Sequence, residues 1–244
     1  MKLRAAVHDI DRLAPADRDA MYQLMVRTYV NMRRDRFEAD LDAKQWAIVV
    51  RSPESRRLVG FSTQVMLETR IDGEQVHALY SGDTVVDREH WGDPALASTW
   101  GNFSLELIDR YRAGQLYWLL TSKGFRTYRY LPLFFRSYFP RPGRPTPAWE
   151  RSLIDAFGQN IAADSYFPHS QIIRAAPGKD HVRPDIAEPG QRRSTDPHVR
   201  FFVERNPEYS RGDELCCLAP LTRENFTRAA YRVMNSRSPA PVSE

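Results

Sequence analysis

Leu58-Val-Gly-Phe-Ser-Thr-Gln-Val-Met-Leu-Glu68 and Val76-His-Ala-Leu-Tyr-Ser-Gly-Asp-Thr-Val-Val-Asp87 are two apolar, β-branched runs separated by Asp72-Gly73. Asp-Gly between such runs is a strong hairpin signal, because a type I′ turn needs positive φ at both central residues. The pair therefore reads as a long antiparallel hairpin. Its return arm is interrupted at Ser81-Gly-Asp83. A glycine inside a strand marks a bulge or a close backbone approach.

Working outward, residues 2–9 alternate loosely and predict a first strand. Asp17 is placed to cap a helix from Arg18 to Asn31. A second helix is expected from Arg34 to Ala43, with Phe37 and Leu41 on one face. Trp46-Ala-Ile-Val-Val50 predicts a buried strand ahead of the hairpin. After it, residues 94–112 have helical spacing, and Leu116-Tyr-Trp-Leu-Leu-Thr121 reads as a buried strand. Gly124 to Phe135 predicts an aromatic-rich helix kinked at Pro132. Residues 140–147 hold four prolines and a glycine and read as a linker. A helix is expected from Ala148 to Ala162, a long loop or lid over 176–198, strands at 201–204 and 214–218, a helix from Glu224 to Met234, and a frayed tail after Asn235.

Composition narrows the function classes. The chain has 244 residues, 42% hydrophobic and 27% charged, which suits a folded domain rather than a disordered one. Thirty-five basic against 31 acidic residues give a net charge of +4, with acidic residues interspersed throughout, unlike a nucleic-acid-binding tail. The surplus is almost all arginine, since the lysines are Lys2, Lys44, Lys123 and Lys179. No apolar run approaches the roughly 18 residues of a membrane span. The first residues have no apolar signal-peptide core, so the expected location is cytoplasmic. The six histidines and the adjacent Cys216 and Cys217 show no metal-ligand spacing, and no metal site is expected.

The element order of the first 140 residues resembles the GNAT acyltransferase superfamily. In that family the strand before the central helix carries an acidic residue, and here Asp83 matches it. A helix tyrosine seven residues beyond a strand position matches as Thr121 to Tyr128, although the family has asparagine where this chain has Thr121. The basic, glycine-rich turn that grips coenzyme A pyrophosphate is altered. Gly92 stands, but Trp91, Pro94 and Leu96 fill the other marked positions. Proline offers no N–H, and a phosphate cradle needs convergent N–H groups.

The resemblance implies an α/β (α+β) fold. Its mostly antiparallel central sheet is flanked by helices, with residues 1–140 as core and 141–244 as a C-terminal extension packed on it. It implies acyl transfer from a thioester to an amine, with no permanently bound cofactor; the alternative is a thioester-binding module without transfer, or a thioester hydrolase or decarboxylase. The altered turn leans toward the branch similar to N-acyl amino acid synthases and acyl-homoserine-lactone synthases. The donor is then acyl-phosphopantetheine on an acidic acyl carrier protein, with acyl-CoA as the other choice. Lys123, Arg126, Arg129, Arg136, Arg141 and Arg144 form a basic set that such a partner would meet.

By the same resemblance, Asp83 is the candidate base and Tyr128 the candidate acid for the leaving thiolate. A backbone N–H near Gly82 to Thr84 would hold the oxyanion. Thr84, Val85, Val86 and Asp87 would bond the pantetheine arm, and Gly92, Ala95, Ser122, Lys123 and Arg126 would lie along the donor. Glu68 and Tyr80 are weaker candidates for the acceptor pocket. Phe134, Phe135, Tyr138, Phe139, Tyr166, Phe167, Phe201 and Phe202 would line a long-chain acyl tunnel or fill an ordinary core.

Overall fold

The computed structural model describes residues 2–111, 115–187 and 195–236. The expected frayed tail beyond residue 236 and part of the expected 176–198 loop lie outside these residues.

The chain opens with β1 (Arg4–Asp9), α1 (Pro15–Thr28), a short β2 (Tyr29–Val30) and α2 (Arg34–Asp42). The first helix starts earlier than its expected cap. Pro15 occupies the first turn, where a missing N–H is harmless, and Asp17 instead pairs with Arg51 at 2.6 Å. Strands β3 (Trp46–Arg51), β4 (Leu58–Ile71) and β5 (Glu74–Val86) follow. Asp72 and Gly73 take φ of 50° and 84° at the hairpin turn. The return arm is one continuous strand, because the interruption at Gly82 is absorbed as a bulge.

Helix α3 (Ala95–Arg110) buries Leu96, Trp100, Phe103 and Leu107, spaced three and four apart, against the sheet. Next come β6 (Gln115–Ser122) and two short helices, α4 (Phe125–Tyr128) and α5 (Tyr130–Phe134). The break between them falls at Arg129 rather than at Pro132.

Beyond residue 140 come α6 (Ala148–Ala162), β7 (Tyr166–Phe167), β8 (Ile172–Ile173), β9 (His181–Val182) and α7 (Pro184–Ala187). The last elements are α8 (Pro197–Arg205), β10 (Glu214–Pro220) and α9 (Arg228–Asn235). The expected strand at 201–204 is therefore helical. Asp196 caps its N-terminus through the His198 N–H, and Val199 and Phe202 form its buried face.

Among the described residues, eight strands form one sheet in the order β1-β3-β4-β5-β6-β10-β8-β7. All neighbours are antiparallel except β5 and β6. The fold is thus a mixed α+β architecture with a mostly antiparallel central sheet flanked by helices. Residues from the C-terminal part enter that sheet directly, since β10 pairs with β6 along six residues. The 140–147 stretch is pinned to it, with Phe139 N–H donating to Leu218 O at 2.7 Å.

Candidate active site

The site originates in a split between two parallel strands. β5 and β6 pair from Val76–Gln115 to Ser81–Leu120 and no further, although β5 continues to Val86 and β6 to Ser122. A bulge accompanies the split. Opposite Gln64 and Ser62 on β4 lie Ser81 and Thr84 on β5, so β5 carries one residue more than its partner. Such a bulge twists its strand away from the ladder. A cavity of about 800 Å³ opens there, lined by Gly82 to Val86 on one side and Thr121 to Thr127 without Ser122 on the other.

The free main chain in the split follows from ladder phase. Asp87 N–H donates to Val59 O at 2.7 Å, and Val86 lies opposite Gly60. In an antiparallel ladder this makes Val85 the residue that exchanges bonds with Phe61. The main-chain groups of Thr84 and Val86 therefore face the split. The Val86 carbonyl is already taken by the Trp91 indole N–H at 2.9 Å.

Asp83 sits at the bulge and lines the cavity. Among the described residues its carboxylate has no hydrogen-bond or ion-pair partner. Burial, then the nearby Asp40 and Asp180, push its pKa up to about 7, against the opposite pull of Lys123 and Lys44. Across the split, Lys123 from the end of β6 donates to Asp180 at 2.5 Å and lies 3.7 Å from Glu214. Its ammonium also sits 5.4 Å from the Tyr29 ring centroid. Burial works against the charged ammonium, but Glu214, Asp180, Tyr29 and Asp83 outweigh it and hold the pKa well above the usual value. Burial would likewise raise Glu214. Lys123 and Lys179, the latter bonded at 2.9 Å, instead bring it down to about 2. Tyr80 lines the same space, its hydroxyl 3.2 Å from Thr121 Oγ1, and burial raises its pKa.

Several expected residues lie here, namely Asp83, Thr84, Val85, Val86, Gly92, Lys123 and Arg126. Others do not. Tyr128 is fully buried, does not line the cavity, and donates its hydroxyl proton to Pro140 O at 3.0 Å. Its ring packs on Tyr138, Phe201 and Phe202, and burial raises its pKa. The phenol therefore lies outside the cavity, with its proton held by Pro140 O. Tyr128→Phe is expected to leave turnover within about twofold while costing about 1–2 kcal/mol, because Pro140 O loses its donor. Kinetics and denaturant melts on the same preparation check this.

Asp87 spends its N–H on Val59 and its carboxylate on Arg27 at 3.6 Å. Ser122 is fully buried and donates to Gly124 O. Ala95 is buried, and its N–H is taken by Asp93 Oδ1 at 2.8 Å. Glu68 is held by Gln75 outside the cavity. The eight tunnel aromatics do not line the cavity, and Phe134, Phe135, Tyr138, Phe139, Tyr166 and Phe202 are buried in the core. Of the basic set, Lys123, Arg126 and Arg129 line the cavity. Lys123 points inward, while Arg136 and Arg141 bond the Phe226 and Arg136 carbonyls.

Sequence reasoning missed Tyr29, Asp40, Lys179, Asp180 and Glu214. A buried acid at a strand start was the one readable signal, at Glu214. The others come from remote segments.

No protein-family model and no curated protein matches the chain. Among solved structures, a conserved protein of unknown function from Enterococcus faecalis is 13% identical, over 55% of this chain and 33% of that one, with a TM-score of 0.41. A GNAT-family N-acetyltransferase from Escherichia coli in complex with CoA is 14% identical, over 50% and 65%, with a TM-score of 0.37. A Trypanosoma brucei acetyltransferase is 19% identical, over 60% and 100%, with a TM-score of 0.38. The chain thus spans less than two thirds of the length of the first two.

Proposed function

We propose that this chain transfers an acyl group from a thioester to an amine, as a GNAT-type N-acyltransferase does. One observation carries the reading: the β5–β6 split, with the unpartnered Asp83 carboxylate at its edge and exposed main-chain groups along it. An extended pantetheine arm adds to the Thr84–Val86 edge as a short strand would, and the thioester is held beside Asp83. Asp83 takes a proton from the acceptor ammonium. The neutral amine forms the C–N bond at the thioester carbonyl, and the oxyanion is held by the Thr84 N–H. The C–S bond then breaks, and the thiolate leaves with the proton of the new amide nitrogen. Lys123 supplies positive charge nearby in place of an acid.

The donor side favours a carrier protein over coenzyme A. At the start of α3 the Asp93 carboxylate already bonds the Ala95 N–H and, through its other oxygen, the Leu3 N–H at 3.3 Å. Pro94 adds no donor, and the Trp91 ring lies 4.5 Å from the Arg126 guanidinium. A pyrophosphate there meets a carboxylate where it needs amides. A carrier-borne phosphopantetheine brings no pyrophosphate. Met32, Phe37, Ile161 and Ile173 add apolar lining beyond what an acetyl group needs, which supports longer acyl chains.

Mass spectrometry of products from a panel of acyl-CoA and acyl-carrier-protein donors, with and without amines, tests the reading. Amine-dependent N-acyl product supports it. Thiol release that ignores the amine marks a thioester hydrolase instead. Asp93→Asn keeps the bond to the Ala95 N–H through Oδ1, gives up the longer one to Leu3 and removes the charge. It is expected to lower KM for acyl-CoA roughly threefold to tenfold, while carrier-protein donors stay unchanged. Steady-state kinetics with both donors check it.

A further inference from the structure

A buried line of polar side chains runs from the core to the bulge. The Trp118 indole N–H donates to Ser81 Oγ at 2.8 Å, and Ser81 donates to Gln64 Oε1 at 2.6 Å. Gln64 Nε2 donates to Ser62 Oγ at 2.8 Å. Ser62 Oγ lies 2.7 Å from Thr84 Oγ1, which reaches the Gly82 carbonyl at 3.4 Å. An indole N–H only donates, which sets the direction at the Trp118 end of the line. Ser81 accepts from it and must donate onward. Ser62 accepts from the amide, and with Ser62 as donor to Thr84 the Thr84 proton is left for Gly82 O. Trp118 itself is fixed by Trp100 and Phe135, with ring centroids 4.7 and 5.3 Å away.

The line staples both flanks of the bulge. Ser81–Gln64 is the rung before the extra residue, and Ser62–Thr84 is the rung after it. Gln64 is the joint, fully buried, with Ser62 and Ser81 at 3% exposure each. On its other side the bulge is backed by Thr63 and Lys44, since a Cβ on Gly82 would lie 2.7 Å from Thr63 Oγ1 and 2.8 Å from Lys44 Cε.

We infer that this line is a positioning device for the reaction, aiming the Asp83 carboxylate by holding the Gly82 carbonyl. The Gly82–Asp83 peptide is planar and trans, so fixing its C=O turns the Asp83 N–H the opposite way. Gln64, Ser62 and Ser81 act only through Thr84 and the backbone. None of the three lines the cavity. Such lines are strong when every member is satisfied and fail as a unit when one is removed. The catalytic consequence rests on the acyl-transfer reading, whereas the geometric one does not.

The test uses Gln64→Met, which keeps bulk and removes the amide, and the pair Thr84→Val and Thr84→Ser. Leu153→Ala on α6 is the control for general destabilisation. For transfer, Gln64→Met and Thr84→Val are expected to lower kcat roughly tenfold to a hundredfold with thioester KM little changed, the scale of one lost buried hydrogen bond at the reacting centre. Thr84→Ser restores kcat to within about threefold of wild type, and Leu153→Ala leaves it unchanged. The activity-independent readout is the pH above which the gap between each protein's melting temperature and that of its own Asp83→Asn partner stops widening, which marks the folded-state titration of Asp83. Asp40, Lys44, Lys123, Asp180, Tyr29 and Tyr80 face Asp83 from the packed elements and are untouched by these changes. That plateau pH is expected to move by about one unit in Gln64→Met and Thr84→Val and to stay put in Leu153→Ala. If it stays put in all of them, or moves equally in the control, the inference is overturned. Should wild type transfer no acyl group to any amine, the function reading fails while the melting experiment still decides the positioning.

Discussion

Asp83→Asn is expected to lower the rate of acyl transfer by roughly 10²–10⁴-fold while making the protein more stable above neutral pH. The two effects share a cause. The Asp83 pKa is raised from 3.8 to about 7, so the folded state binds a proton that the unfolded chain has already released in that range. Such a group penalises folding as pH rises. The penalty is absent below about pH 4, grows between 4 and 7, and is complete above 7. Three units set a ceiling of about 4 kcal/mol, and solvent access through the cavity reduces this to about 1–2 kcal/mol. Asparagine removes the charge and keeps the shape. Melting curves should coincide at pH 4 and separate at pH 8 by about 2–8 °C, the variant higher. In wild type, kcat/KM should rise with pH and level off above about 7, because the base acts ionised. A variant that loses activity and also loses stability at pH 8 would instead mark Asp83 as a structural aspartate.

Lys123→Met has the second large effect, and it acts on folding. The ammonium lies between Asp180, Glu214 and Asp83, three carboxyl groups from three separate segments. Without it they remain close together, partly desolvated and short of the cation between them. The expected loss is about 3 kcal/mol at pH 7, the low end for a buried pair that loses one member, because Lys179 still holds Glu214. The sign with pH is definite. Glu214, held near 2, contributes stability that is present above about 4.5 and lost as pH falls toward 2. In the variant its pKa returns upward and that contribution shrinks. The gap between variant and wild type should therefore be widest near neutrality and should close in acid. Denaturant melts at pH 3, 5 and 7 measure it. A gap that is constant with pH would mean that packing of the aliphatic stem, not charge, carries the effect. Transfer by the folded variant should also show its rising pH limb displaced upward, since Asp83 loses the cation that opposes its protonation.

The two variants test different parts of one arrangement. Asp83 is held by a bulge on β5, and Lys123 by the end of β6. Their separation depends on the strands failing to pair beyond Ser81 and Leu120. Any substitution that lets the strands close should abolish both effects together.

The sequence by itself determined the parts whose causes are local. Asp72-Gly73 specifies a tight turn through its backbone preferences, and the runs on either side alternate as strands must. The helical spacing of residues 94–112 was legible, although its buried face, Leu96, Trp100, Phe103 and Leu107, came from the structure. The Ser81-Gly-Asp83 interruption announced a bulge, and with it the position of Asp83, because a glycine in a strand is a local anomaly. The tertiary structure alone decided what depends on neighbours remote in the chain. Tyr128 has the right spacing for an acid, yet its proton goes to Pro140 because α4 is packed under Tyr138 and α8. Phe201-Phe-Val reads as a strand from its apolar run, and only the Asp196 cap and burial of one face make it helical. Lys123 finds Asp180 57 residues later and Glu214 later still because β10 enters the sheet beside β6. No periodicity encodes that insertion. Charge pairing, desolvation and the width of the split are properties of the assembled sheet, since each sums contributions from segments that meet only when the core has formed.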